Sequence, residues 1–200
     1  MAVVTMAEIT KLRKMTGAGM MDCKNALNEA EGDIDKAMEI IRKKGQAVAA
    51  KRSDRDASEG CVLAKADGNF AAIIALKCET DFVANNADFV KLTQDILDLA
   101  VANKCQTLEE VKALTLGNGT VQDAVTDRSG ITGEKMELDG YMTVEGEYTT
   151  VYNHQGKNQL CTLVAMNKAA EAAAKGVAMQ IAAMNPIAID EDGVSEEIKN

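Results

Sequence analysis

CVLAKADGNFAAIIALKC, Cys61 to Cys78, is the stretch on which the fold class turns. Two apolar, strand-like runs flank Asp67-Gly68, and this dipeptide suits a tight hairpin because glycine reaches positive φ at no steric cost. The chain continues as ETDFVANNADF, residues 79–89, and enters a helix expected near Ala87 to Ala102, with Phe89, Leu92, Ile96 and Leu99 on one face. The same order returns later. EYTTVYNHQGKNQLCTLVAM, residues 147–166, holds two further runs around Gln155-Gly156. A helix from about Lys168 to Met184 follows, stopped by Asn185-Pro186, since a proline disfavours helix in the residue before it. Hairpin then helix, twice, predicts an α+β protein with two related lobes, each covering a hairpin or sheet with helices. The echo is one of pattern, not of letters.

Upstream, the first 45 residues read as three short helices. Thr5 and Glu8 form a capping-box start, and Ile9, Leu12 and Met15 give one apolar face. Gly17 and Gly19 interrupt. A second helix fits Met20 to Ala30, with Met21, Ala26 and Leu27 apolar. Asp33 caps a third, Ile34 to Lys44, which buries Ile34, Ala37, Met38 and Ile41 and stops at Gly45. The expected division is therefore a three-helix domain over 1–45, a linker or partly helical tether over 46–59, a first α+β lobe over 60–135 and a second over 136–200. Thr107 with Glu110 opens a short helix between the lobes, and Thr120 to Asp127 suggests another. DEDGVSEEIKN, residues 190–200, begins a helix capped at Ser195 and then ends, which reads as a chain truncated before a further helical segment.

The totals exclude several function classes. A hydrophobic content of 46% over 200 residues supports real cores. No apolar run approaches the roughly 18–20 residues of a membrane span, and the N-terminus lacks a signal-peptide core. Cysteines at 23, 61, 78, 105 and 161 are odd in number and without C-x-x-C, which points to reduced, buried thiols and a cytoplasmic location. With one histidine, His154, neither a metal site nor a histidine-based triad is expected, and no cofactor is implied. Charge is uneven. Residues 1–52 carry ten Lys/Arg against seven Asp/Glu, while 53–200 carry twelve against twenty-four. So acidic a body is a poor surface for phosphates, and direct nucleic-acid binding is not expected.

Three places could carry function. Phe82 is one of three phenylalanines in a chain without tryptophan, yet it falls in the connection after the first hairpin, beside Asp81. Either it folds back onto the core while Asp81 caps a turn, or it anchors a partner with an acid at its side. TGAGMMDCK, residues 16–24, can be a plain helix–helix connection. Adjacent Met20 and Met21, however, cannot both face a small core, and methionine suits adaptable binding surfaces. His154 reads as a solvated residue of a hairpin turn.

LRKMTGAGMMDCKNAL (12–27), GDIDKAMEIIRKKG (32–45) and CETDFVANNADF (78–89), in this order and spacing, strongly resemble bacterial elongation factor Ts. The match is close over residues 1–100 and looser over 105–200. The resemblance implies a guanine-nucleotide exchange factor, not an enzyme, whose partner is elongation factor Tu in its GDP-bound and nucleotide-free forms, with no membrane involved. It implies that the N-terminal bundle is similar to a ubiquitin-associated domain. Arg13, Thr16, Gly17, Ala18, Gly19, Met20, Met21, Asp22 and Lys24 would then form its docking segment on the GTPase domain. Thr80, Asp81, Phe82 and Val83 would intrude near the partner's Mg²⁺ and nucleotide, and His154 would be a possible second-lobe contact. The rival reading is an adaptor or chaperone module of the ubiquitin-associated type, without exchange activity.

Overall fold

The computed structural model describes residues 4–199. Its secondary structure is mixed helix and strand, as an α+β protein requires. Three helices open the chain, α1 (Met6–Thr16), α2 (Met20–Glu29) and α3 (Ile34–Lys51). Two of the three starts carry a side-chain cap. Thr5 caps α1 by accepting from the Glu8 amide while the Glu8 carboxylate returns to the Thr5 amide. Asp33 caps α3 by accepting from the amides of Asp35 and Lys36. Gly17 ends α1 in the left-handed region at φ 71°, where only glycine sits without strain. Ile9, Leu12, Ala18, Cys23, Ala26, Leu27, Ala30 and Ala37 form the buried core of this bundle, with Ile34, Met38 and Ile41 packed at its edge.

Two expectations about the bundle are corrected. Met15 and Met21 do not face the core; both are exposed, and Cys23 fills the buried place on α2. Nor does the third helix stop at Gly45: it continues to Lys51, so that residues 46–51 are helical. Gly45 serves a different end. It is buried against Gly130 of α7 (Val121–Thr132), and a Cβ on Gly130 would come within 2.2 Å of the Gly45 Cα. Gly130 thus lets the two helix backbones meet in direct contact, while a Cβ on Gly45 would meet nothing closer than 3.5 Å. Because a glycine inside a helix costs only about 1 kcal/mol relative to alanine, close packing can outweigh it.

A hairpin follows, β1 (Glu59–Asp67) and β2 (Phe70–Cys78), turning at Gly68 with φ 62°. After α4 (Asp81–Ala84), α5 (Ala87–Ala102) and α6 (Leu108–Ala113), the minimal pair β3 (Thr115–Leu116) and β4 (Gly119–Thr120) leads into α7. Thr120 caps α7 in a second capping box, with Asp123. The strand β5 (Glu137–Glu145) completes a sheet of order β1-β2-β5. Its sequence, ELDGYMTVE, hides it: only Leu138 is buried, and Met142 faces out. A Cβ on Gly140 would stand 2.7 Å from the Ala75 Cβ, so the glycine marks a close approach to β2. The second hairpin pairs β6 (Tyr148–Asn153) with β7 (Cys161–Met166), antiparallel from Tyr148↔Met166 to Asn153↔Cys161. It forms a sheet of its own. The helix α8 (Glu171–Met184) packs on it, with Ala174 and Ala178 buried and the Thr162 hydroxyl donating to the Ala178 carbonyl at 2.9 Å. A last turn of helix, α9 (Glu196–Lys199), follows Ser195.

Compact packing divides the residues into two units. The first takes the chain up to Cys61 with Leu76–Leu92 and Glu109–Asp139; the second takes Val62–Ala75, Thr93–Leu108 and the chain from Gly140 onward. No helix among the described residues is long and apolar enough to cross a membrane.

Candidate functional site

Where β2 ends at Cys78, the chain turns through Glu79 and Thr80 into the single-turn helix α4. Thr80 is its N-cap: the hydroxyl accepts from the Val83 amide at 3.4 Å, and the Thr80 carbonyl accepts from the Ala84 amide at 3.1 Å. Asp81, expected as the cap if Phe82 were core, is instead the first residue of the helix, with its side chain exposed. Its carboxylate has no hydrogen bond or ion pair among the described residues. Phe82 is 86% exposed. It does not fold back onto the core.

A turn this short does not hold itself, because helix nucleation is unfavourable without several successive bonds. Two carboxylates hold it. Glu134 accepts from the Glu79 amide (3.1 Å), the Thr80 amide (3.1 Å) and the Thr80 hydroxyl (2.6 Å). Glu79 in turn accepts from the Lys135 amide at 2.6 Å and from the Arg52 guanidinium at 2.9 and 3.0 Å. The Lys135 amide, and after it the Arg52 guanidinium, hold the Glu79 carboxyl below the usual carboxylate range. Burial beside Glu134 raises the Cys78 thiol to about 11, so it is neutral at physiological pH. Sequence reading missed Glu79, Glu134 and Arg52. Positions 79 and 134 lie more than fifty residues apart, and no local pattern joins them.

The N-terminal segment lies in the same unit as this turn. Met20 and Met21 are 47% and 63% exposed, so neither faces the core. Arg13, Gly17, Gly19 and Lys24 are exposed too, Thr16 is half-buried, and Ala18 is buried in the bundle. The Thr16 hydroxyl donates to the Leu12 carbonyl and accepts from the Ala18 amide, which shapes the connection. Asp22 pairs with Lys44 of α3. Beside this segment lies a cleft of about 410 Å³ whose walls include Met15, Ala18, Met38, Ile41, Asp127 and Ile131. His154 belongs to the other unit. It is half-buried rather than fully solvated, its Nδ1 3.3 Å from the Tyr152 hydroxyl and its ring edge-on to the tyrosine ring. Among the described residues no group of three or more His, Cys, Asp or Glu could hold a metal ion.

The profile of the family described as Elongation factor TS matches residues 79–200. Elongation factor Ts of Porphyromonas gingivalis is 58% identical over 197 residues, covering 98% of this chain and 72% of that protein. The chain belongs to the elongation factor Ts family. Elongation factor Ts of Phocaeicola vulgatus is 86% identical over 196 residues, and that of Bacteroides thetaiotaomicron 83% over 197. Each alignment covers 98% of this chain and 60% of the relative. The chain thus spans 60% of the length of these two elongation factor Ts proteins.

Proposed function

We propose that the chain acts in translation elongation as a guanine-nucleotide exchange factor, binding elongation factor Tu in its GDP-bound and nucleotide-free forms. The observation that carries the reading is the outward Phe82, an exposed aromatic beside an unpaired carboxylate on a capped and clamped turn. Family membership supplies the partner. In this reading the domain over 1–45 docks through Arg13, Thr16–Asp22 and Lys24. The lobe over 60–135 applies Thr80–Val83 to the partner's Mg²⁺ and nucleotide site, and the lobe over 136–200, with His154, adds a contact. Residues 46–59 join the first two. No covalent chemistry is involved, and the site of action is the cytoplasm.

The chemistry is one of differential binding. GDP in a GTPase is held by phosphate-loop amides and by Mg²⁺, the largest local charge in such a site. Phe82 enters an apolar pocket of the partner, and Asp81 disturbs the field around the ion. Each ligand weakens the other by the same factor, so GDP must also weaken the factor's binding. Magnitude limits what one residue can do. A thousandfold faster release needs about 4 kcal/mol, whereas burying one phenylalanine contributes about 1.5–3 kcal/mol. Docking by the N-terminal segment therefore shares the work.

The test is release of fluorescent GDP from bacterial elongation factor Tu, with this chain and with Phe82→Ala. Acceleration by the parent that drops severalfold in the variant supports the reading. Equal acceleration by both removes Phe82 from the mechanism, and no acceleration by the parent removes exchange activity from this chain.

A further inference from the structure

We infer that Glu134 is the positioning residue of the Thr80–Val83 turn: with Glu79 it forms a reciprocal carboxylate–amide clamp that fixes the direction of Phe82, and Arg52 ties that clamp to the end of α3. The inference rests on the exchange reading above. Two dipeptides, Glu79-Thr80 and Glu134-Lys135, exchange hydrogen bonds. The carboxylate of Glu134 takes the amides of 79 and 80, and the carboxylate of Glu79 takes the amide of 135.

Burial cannot hold Phe82, because its ring makes almost no contact with the rest of the chain. Its orientation follows from α4 alone, and α4 is four residues long. The polar clamp is what the turn has in place of a core. Glu134 is itself well anchored. It follows Gly133, which ends α7 in the left-handed region at φ 74°, its carbonyl accepts from the Ser129 hydroxyl, and its amide donates to the Thr132 hydroxyl at 3.3 Å. Both carboxylate oxygens are engaged, and all three donors are on one short stretch of chain. Charge-assisted bonds of this kind are shorter and stronger than neutral ones. Arg52 is the C-cap residue of α3, the helix whose bundle carries the docking segment. The clamp therefore couples the direction of Phe82 to the helix that ends at Arg52.

Glu134→Gln keeps the shape but removes the charge, and with its carbonyl oxygen on the Glu79 and Thr80 amides its NH₂ group faces the Thr80 hydroxyl that had been donating. Hydrogen exchange of the Ala84 and Asn85 amides is expected to rise about tenfold or more, with the amides of Cys23–Leu27 in α2 unchanged. Acceleration of GDP release is expected to fall about tenfold, and the same substitution in an Asp81→Ala/Phe82→Ala background is expected to add nothing. Glu79→Gln, which leaves the Thr80 cap of α4 in place, is expected to show the same pattern more weakly, and it serves if Glu134→Gln folds poorly. Unchanged exchange at Ala84 and Asn85 would overturn the clamp, as would a rise spread through α2 and α7. A further loss in the Asp81→Ala/Phe82→Ala background would show that Glu134 acts through general stability and would also overturn it. If the parent chain itself does not accelerate release, the exchange reading fails instead, and hydrogen exchange alone decides the clamp.

Discussion

Phe82 and Glu79 make opposite demands on their surroundings. Phe82 has no burial to lose, so Phe82→Ala is expected to move the melting temperature by no more than a degree or two while reducing exchange, a split that calorimetry and GDP release resolve. Glu79 is largely buried, and Glu79→Gln is expected to cost about 1–2 kcal/mol at pH 7. Its folded pKa lies below the ordinary value of 4.5. Its contribution is therefore complete above that value and is lost as pH falls through the folded pKa. Melting curves of parent and Glu79→Gln should converge in acid. Asp127 behaves in reverse. Burial raises its pKa above the ordinary 3.8, and its Oδ1 is buried without a hydrogen-bond partner among the described residues. The ionised carboxylate thus costs stability above its folded pKa and none below the ordinary one. Asp127→Asn is expected to raise the melting temperature at pH 7, with the gain vanishing below about pH 4.

Among the elements, α7 meets α3 at a point where Gly130 can carry no side chain, whereas a Cβ on Gly45 would find ordinary contacts at 3.5–3.6 Å. Gly130→Ala would set a Cβ 2.2 Å from the Gly45 Cα, so the helices must part. The expected loss is about 2–4 kcal/mol, read by denaturant unfolding. Gly176 in α8 is the control, since a Cβ there meets nothing within 4 Å. Gly176→Ala is expected to stabilise by about 0.5–1 kcal/mol through helix propensity alone. The same residue type in two helices thus answers to different terms, packing in one and chain entropy in the other.

For the whole molecule, all five cysteines are buried thiols outside any disulfide. Burial raises the thiols of Cys23 and Cys78, and thiolate is the reactive form. A thiol reagent at neutral pH is expected to label almost nothing in the native protein and every cysteine in denaturant. Rapid labelling of any one would mark a local opening of the fold.

Sequence alone determined what depends on near neighbours. Thr5 with Glu8, Asp33, Gly17 and Asp67-Gly68 placed helix starts, a helix stop and a hairpin, because caps and turns are settled within four residues. The same locality made TGAGMMDCK and ETDFV stand out. Contacts between distant positions had no such signal. The strand β5 was missed because one buried leucine and a glycine make no alternating pattern. Gly45 looked like a helix stop, yet α3 runs past it, because the surface it packs on, Gly130, lies 85 positions away. The exposure of Phe82 could not be read from its letter, since an aromatic in a connection serves core or partner equally well. Only the tertiary structure decided that it points outward, because the groups that hold its turn, Arg52 and Glu134, come from opposite sides of it in the chain.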